Sequence, residues 1–195
     1  MTAARMMAEW LSGDVAVVSL EATDAAPPLI YQLMVTHLTA GIRAGDSWST
    51  WVQPDTYEAH VPARAAPCVS KAPRWSELAE WVATAIENRV VVVYDGYAAT
   101  VLLTHLPHHV FRRIVYATDI VRTAWPDVQQ AYTATDPQLR PIFLPARPAA
   151  PAQDAALTQL VPTLLVFAGV ISAPTEPLRS LLPRDNEITE STEID

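Results

Sequence analysis

Apolar and polar positions alternate with two different periods along this chain, and the switches between them mark out the elements. Val15 to Leu20 is a β-branched run that predicts a buried strand, preceded by a short helical or frayed lead-in over residues 1–13 that closes at Ser12-Gly13. Pro27-Pro28 breaks the chain, and Leu29 to Thr39 reads as a second strand through Ile30, Leu33, Val35 and Leu38. Gly41 to Asp46 predicts a turn with Gly45 at its tip, and Ser47 to Val52 returns to alternation, completing an antiparallel meander.

Helical spacing then takes over. Leu78, Trp81, Val82, Ala85 and Ile86 fall on one face of a helix over Trp75 to Ile86, opened by Pro73 or Ser76. Val90 to Val93 predicts a fully buried central strand, followed by a helix from Gly96 to His105 that Pro107 ends. Phe111 to Tyr116 predicts another strand, and Asp119 to Trp125 a helix stopped by Pro126, with Asp119 as its N-cap. Pro137, Pro141, Pro145, Pro148 and Pro151 predict loop, and Asp154 to Phe167 a final helix. That helix is apolar around more than one stripe, as expected of one deeply buried or covered by another subunit.

Composition sharpens this picture in a few places. A chain of 195 residues, half of them apolar, supports one domain with a real core. Cys68 is the single cysteine, so no intrachain disulfide can form and a reducing compartment is expected. The first ten residues lack the pattern of a secretory leader, and the apolar stretch Leu157 to Ile171 is interrupted by Pro162 and Gly169. A cytoplasmic protein without a membrane span is therefore expected. The net charge is −8, divided about equally between the body and a tail in which Arg184 faces Asp185, Glu187, Glu190, Glu193 and Asp195. Strong binding to nucleic acid rests on neutralising phosphates, so this balance argues against a general nucleic-acid coat. Residues 14–172 are expected to form the domain, and 173–195 an acidic, disordered tail.

The stretch Val17-Val18-Ser19-Leu20-Glu21-Ala22-Thr23 resembles the first motif of the DEDDh-type 3′–5′ exonucleases, the proofreading-type branch of the RNase H-like superfamily. Trp51-Val52-Gln53-Pro54, Val61-Pro62 and Val69-Ser70-Lys71-Ala72-Pro73 resemble the end of that family's third strand and the proline-bearing connection after it. Asp154-Ala155-Ala156-Leu157-Thr158 resembles the second half of its last motif. The resemblance covers about residues 14–168 and implies an α/β fold of the RNase H-like exonuclease kind. Its mixed five-stranded sheet would combine an antiparallel meander with parallel strands, flanked by helices.

The resemblance also implies a chemistry, and this chain departs from it. The family holds two divalent ions on four carboxylates and uses a histidine as general base. The metal-bridging aspartate of the first motif falls at Ser19, while Glu21 is kept. Tyr94-Asp95-Gly96-Tyr97-Ala98-Ala99 occupies the second motif and puts Ala99 at its aspartate. Asp154 keeps the carboxylate of the third motif, and Ala149 stands where the general-base histidine belongs. Glu21 and Asp154 are thus vestigial carboxylates, able at most to hold one ion weakly, with Asp95 and Asp24 as the carboxylates that could rebuild a site.

Other features have plain readings. His105, His108 and His109, beside Arg112 and Arg113, read as a solvated, mildly basic turn, because Pro107 breaks the helix that a metal site would need. Trp48 and Trp75, next to loops, are candidate anchors for a partner, whereas Trp51 and Trp81 fit core positions. The expectation is a catalytically inactive exonuclease-like domain, a protein-interaction or structural module with a protein partner or self-association and no cofactor. The competing readings are a residual exonuclease using Mg²⁺ or Mn²⁺ and a non-cleaving single-strand binder.

Overall fold

The structure is a computed structural model that describes residues 2–45, 47–56, 61–124 and 149–170. β1 (Asp14–Ala22) is the spine of its sheet. β2 (Ile30–Thr39) pairs with β1 antiparallel, from Asp14 opposite Thr39 to Glu21 opposite Gln32, with a bulge before Ala22. On the other side of β1 lies β5 (Val90–Val93), parallel to it, and β6 (Arg113–Tyr116) is parallel to β5. β3 (Ile42–Arg43) and β4 (Trp48–Trp51) both pair antiparallel with β2. Since β1 takes one edge of β2, these two must share the other. Among the described residues the sheet therefore has six strands in an order five positions wide; the expected third meander strand is present as β4, and the expected turn before it is broken by an extra short strand, β3.

The break follows from local backbone geometry. The tight turn after β2 is Ala40-Gly41, with φ of 51° and 78°, one residue earlier than the turn expected at Gly41 to Asp46. Two successive positive φ values suit a two-residue hairpin whose twist matches the flanking strands. Gly45, also at positive φ (83°), marks the second bend, before β4.

Side chains alternate across the sheet, and each face has its own helices. Val15, Val17, Leu38, Val90, Val92 and Val115 pack with α1 (Ala3–Leu11), α5 (Ala117–Ala124) and α6 (Ala150–Phe167). Ala16, Val18, Leu20, Leu33, Val35, Val91 and Val93 pack with α3 (Trp75–Ile86) and α4 (Gly96–His105). A smaller cluster seats α2 (Ala66–Val69) through Ala65 and Val69 on Tyr31 of β2.

Several expectations change here. The lead-in is a formed helix, capped by Thr2 Oγ1 accepting from Arg5 N–H, and its Ala8 and Leu11 are wholly buried in the core. α5 begins at Ala117, so Asp119 lies inside its first turn, paired with Arg122 at 3.4 Å, instead of capping it. α6 begins at Ala150 and runs through Pro162, so Pro151 opens a helix where loop was expected. The many apolar positions of α6 are explained within the chain, because Leu157, Leu160, Val161, Leu164 and Leu165 are buried against the sheet, α1 and α5. Trp125, most of the proline-rich stretch and the acidic tail lie outside the described residues. No helix among the described residues is long and apolar enough to cross a membrane.

Candidate functional site

Ser19 and Glu21 share the face of β1 that α6 covers, and the C-terminal end of β1 meets the N-terminus of α6. That junction holds Glu21 by both of its oxygens. Oε1 accepts from the backbone N–H of Ala150 at 3.1 Å. Oε2 accepts from the Tyr31 hydroxyl at 2.6 Å and lies 3.4 Å from the Arg64 guanidinium. A helix N-terminus presents unpaired N–H groups and the positive end of the helix dipole, so a carboxylate is favoured there. The Pro151 ring removes the next donor, which leaves Ala150 N–H as the one for Glu21 to take. Burial, and then the adjacent Glu21 carboxylate, push the Tyr31 phenol up to about 12, so it stays protonated and donates.

Asp154 serves a different contact. α6 runs antiparallel to β1, and Asp154 sits one turn beyond Ala150, about 6 Å further along the helix axis. Its Oδ1 accepts from Thr36 Oγ1 at 2.8 Å, and Arg43 of β3 approaches Oδ2 at 3.8 Å. Thr36 Oγ1 is also 2.9 Å from Ser47 Oγ. The one threonine proton goes to the carboxylate, so Ser47 is the donor in that second contact. Burial raises the Asp154 carboxyl above its ordinary value, against the opposing pull of Thr36 and Arg43.

Between these two carboxylates the space is filled. Gln153, fully buried, donates its Nε2 to the Leu20 carbonyl at 3.2 Å. Ser19 is fully buried, and its hydroxyl has no hydrogen-bond partner among the described residues. Thr23, the last residue of the first motif, staples the β1–β2 connection: its Oγ1 accepts from Leu29 N–H at 3.0 Å, and its own N–H reaches the Leu29 carbonyl.

Of the second-motif stretch, Tyr97 reaches this junction, whereas Ala99 and Asp95 do not line it. Ala99 is buried in the apolar cluster on the α3–α4 face, beside Val91, Val93 and Leu102. Asp95 caps α4, its Oδ1 accepting from Ala98 N–H at 2.9 Å. Asp24 and Ala149 do lie near Glu21, lining an open cleft of about 410 Å³ with Tyr31, Arg64 and Tyr97. The Tyr97 hydroxyl donates to the Thr23 carbonyl at 3.1 Å across its edge.

The aromatic candidates are re-sorted. Trp75 is only 9% exposed and meets His105 edge-on, so it belongs to the core instead of the surface. Trp81, expected inside, is 43% exposed and stacks on Trp48 with centroids 4.1 Å apart. Helix phase explains the exchange, because Val82 and Ile86 take the inner face of α3. His105 Nε2 lies 2.6 Å from the Pro28 carbonyl, a structural contact, while His108 and His109 sit exposed in a 3₁₀ turn.

Sequence reading did not single out Tyr31, Thr36, Arg43, Arg64 or Gln153. The first three lie on strands whose side-chain facing follows only from register. Gln153 is adjacent to Asp154, and the one available signal was a long polar side chain in an otherwise apolar helix.

Comparison with solved structures accounts for this arrangement of elements. Over 79% of its length the chain matches E. coli Exonuclease I in complex with a dA16 oligonucleotide, with a TM-score of 0.58 and 11% identity, covering 41% of that chain. It matches an exonuclease I structure without ligand over 80% of its length at a TM-score of 0.57 and 9% identity, covering 42% of that chain. Cell-death related nuclease 4 (CRN-4) matches over 78% at a TM-score of 0.51 and 12% identity, with 63% of its chain covered. This chain thus spans about two fifths of the length of the exonuclease I chains. Its sequence matches no family model and no curated protein. At these identities the likeness concerns architecture alone: the chain has the fold of these exonucleases.

Proposed function

We propose that this domain is an exonuclease fold that does not hydrolyse nucleic acid and acts as a protein-interaction or structural module. One observation carries the reading: the two retained carboxylates do not converge. Glu21 is bound into the α6 N-terminus, and Asp154 turns to Thr36 and Arg43 one helical turn away. Two-ion hydrolysis needs carboxylate oxygens gathered around a pair of cations about 3.5–4 Å apart. Divalent cations of this kind take six or more oxygen ligands. Ser19 offers a neutral, buried hydroxyl, Ala99 a methyl group in an apolar cluster, and Ala149 no base. Asp24 lines the cleft but is one carboxylate, and Asp95 is spent on capping α4. This donor set does not fit a pair of divalent ions.

The protein is expected to leave single-stranded DNA and RNA intact with millimolar Mg²⁺ or Mn²⁺. Hydrolysis that Glu21→Ala abolishes would overturn the reading.

A further inference from the structure

We propose that Arg64 is the resident cation of this site, its guanidinium standing beside Glu21 in place of a divalent ion. This rests on the reading that no metal pair assembles there. A carboxylate with only 11% of its side chain exposed is costly to hold without a counter-charge. The Ala150 N–H and the Tyr31 hydroxyl satisfy its hydrogen-bonding capacity but bring no full positive charge. Asp24, in the same cleft, makes the deficit larger. Arg64 is the one cation among the described residues lining that cleft, and its guanidinium lies 3.4 Å from Glu21 Oε2.

Its placement is built into the chain. Arg64 sits on a turn closed by Ala65 N–H and Ala66 N–H donating to the Pro62 carbonyl, at 2.8 and 3.1 Å. The turn is anchored by Ala65 and Val69, both buried against Tyr31, the residue that donates to Glu21. Three separate segments (β1, β2 and the turn before α2) therefore bring a carboxylate, a phenol and a guanidinium to one point. Arg64 itself remains 75% exposed, so it covers Glu21 from the rim and can be removed without opening the core. With Arg64 in place, Glu21 Oε2 is closed to a divalent ion. Without it, Glu21 and Asp24 face the open cleft uncompensated.

The test is thermal unfolding at low ionic strength of the full chain and of Glu21→Gln, Arg64→Ala and the double variant, each with and without millimolar Mn²⁺. Arg64→Ala is expected to lower Tm by about 1–3 °C in the parent and to have no effect on the Glu21→Gln background. Mn²⁺ is expected to restore the Tm of Arg64→Ala and to leave the parent and the double variant unmoved. An equal loss in both backgrounds, or the same Mn²⁺ response from the parent and Arg64→Ala, overturns the proposal. The readout does not depend on activity. Nuclease activity in the parent would strike the functional reading and this proposal with it, whereas an uncoupled cycle in an inactive protein would strike Arg64 alone.

Discussion

Asp154 is a buried carboxylate held by Thr36 and approached by Arg43. Its carboxyl is raised above its ordinary 3.8 chiefly by burial. A carboxyl raised in the folded state holds its proton more tightly there than in the unfolded chain. The resulting stability is fully present below the unfolded value and lost as pH rises through the folded one. Asp154→Asn keeps an oxygen acceptor for Thr36 and cannot ionise. Its stability relative to the parent should therefore grow between about pH 4 and pH 7, measured by urea unfolding across that range. Asp154→Ala removes the acceptor and leaves the Thr36–Ser47 pair short of one, and should cost about 1–3 kcal/mol even in acid. If the Asn variant instead lost stability with rising pH, the ion pair with Arg43 would outweigh burial. Glu21 serves as a helix cap supplied from another element.

At the scale of elements, the junction of α6 with the β2–β3 hairpin decides the depth at which α6 lies on the sheet. Gly41, at φ of 78°, packs beneath it: a Cβ there would come within 2.7 Å of Leu165 Cδ1 and 3.3 Å of Pro162 Cα. Its neighbour Ala40 adopts φ of 51°, a strain of roughly 1 kcal/mol for a residue with a Cβ. The two positions should respond with opposite signs. Ala40→Gly is expected to leave stability unchanged or raise it by up to about 1 kcal/mol, through relief of that strain. Gly41→Ala should cost about 1–2 kcal/mol from backbone strain alone, and more as Leu165 is displaced. Denaturant midpoints of the two variants check this, and a stabilising Gly41→Ala would mean that the hairpin is not held as described.

For the whole molecule, the N-terminal helix is part of the core and not an appendage. Ala8 and Leu11 are fully buried among Val15, Ile120, Leu160 and Leu164, and Trp10 stacks under Arg113 with 3.6 Å from the guanidinium carbon to the ring centroid. Removing residues 2–11 would expose one face of α5 and α6 to water. Burial of two apolar side chains and part of an indole is worth several kcal/mol at about 25 cal/mol per Å². The shortened chain should unfold at least about 10 °C below the parent, or lose cooperative melting in calorimetry. Melting within a degree or two of the parent would show that the helix contributes little.

The order of most elements, the buried valine strands and the extent of the helix over Trp75–Ile86 were legible in the sequence, because period is a local property of a chain, whereas which of its tryptophans faces the core was not. So were the residue types at three positions of the resemblance, since an alanine cannot carry a metal wherever it lies. Ser19, Ala99 and Ala149 belong to that kind of knowledge. The partners of Glu21 were not legible. Tyr31 and Arg64 lie 10 and 43 residues from Glu21, and Ala150 lies 129 away. Their meeting depends on strand register, on the seat of α2 and on where α6 begins, none of which a local pattern encodes. The sequence by itself determined the order of most elements and which residue types stand at the positions of the resemblance. The tertiary structure decided what Glu21 and Asp154 contact, because hydrogen bonds and a guanidinium reach each of them from different elements.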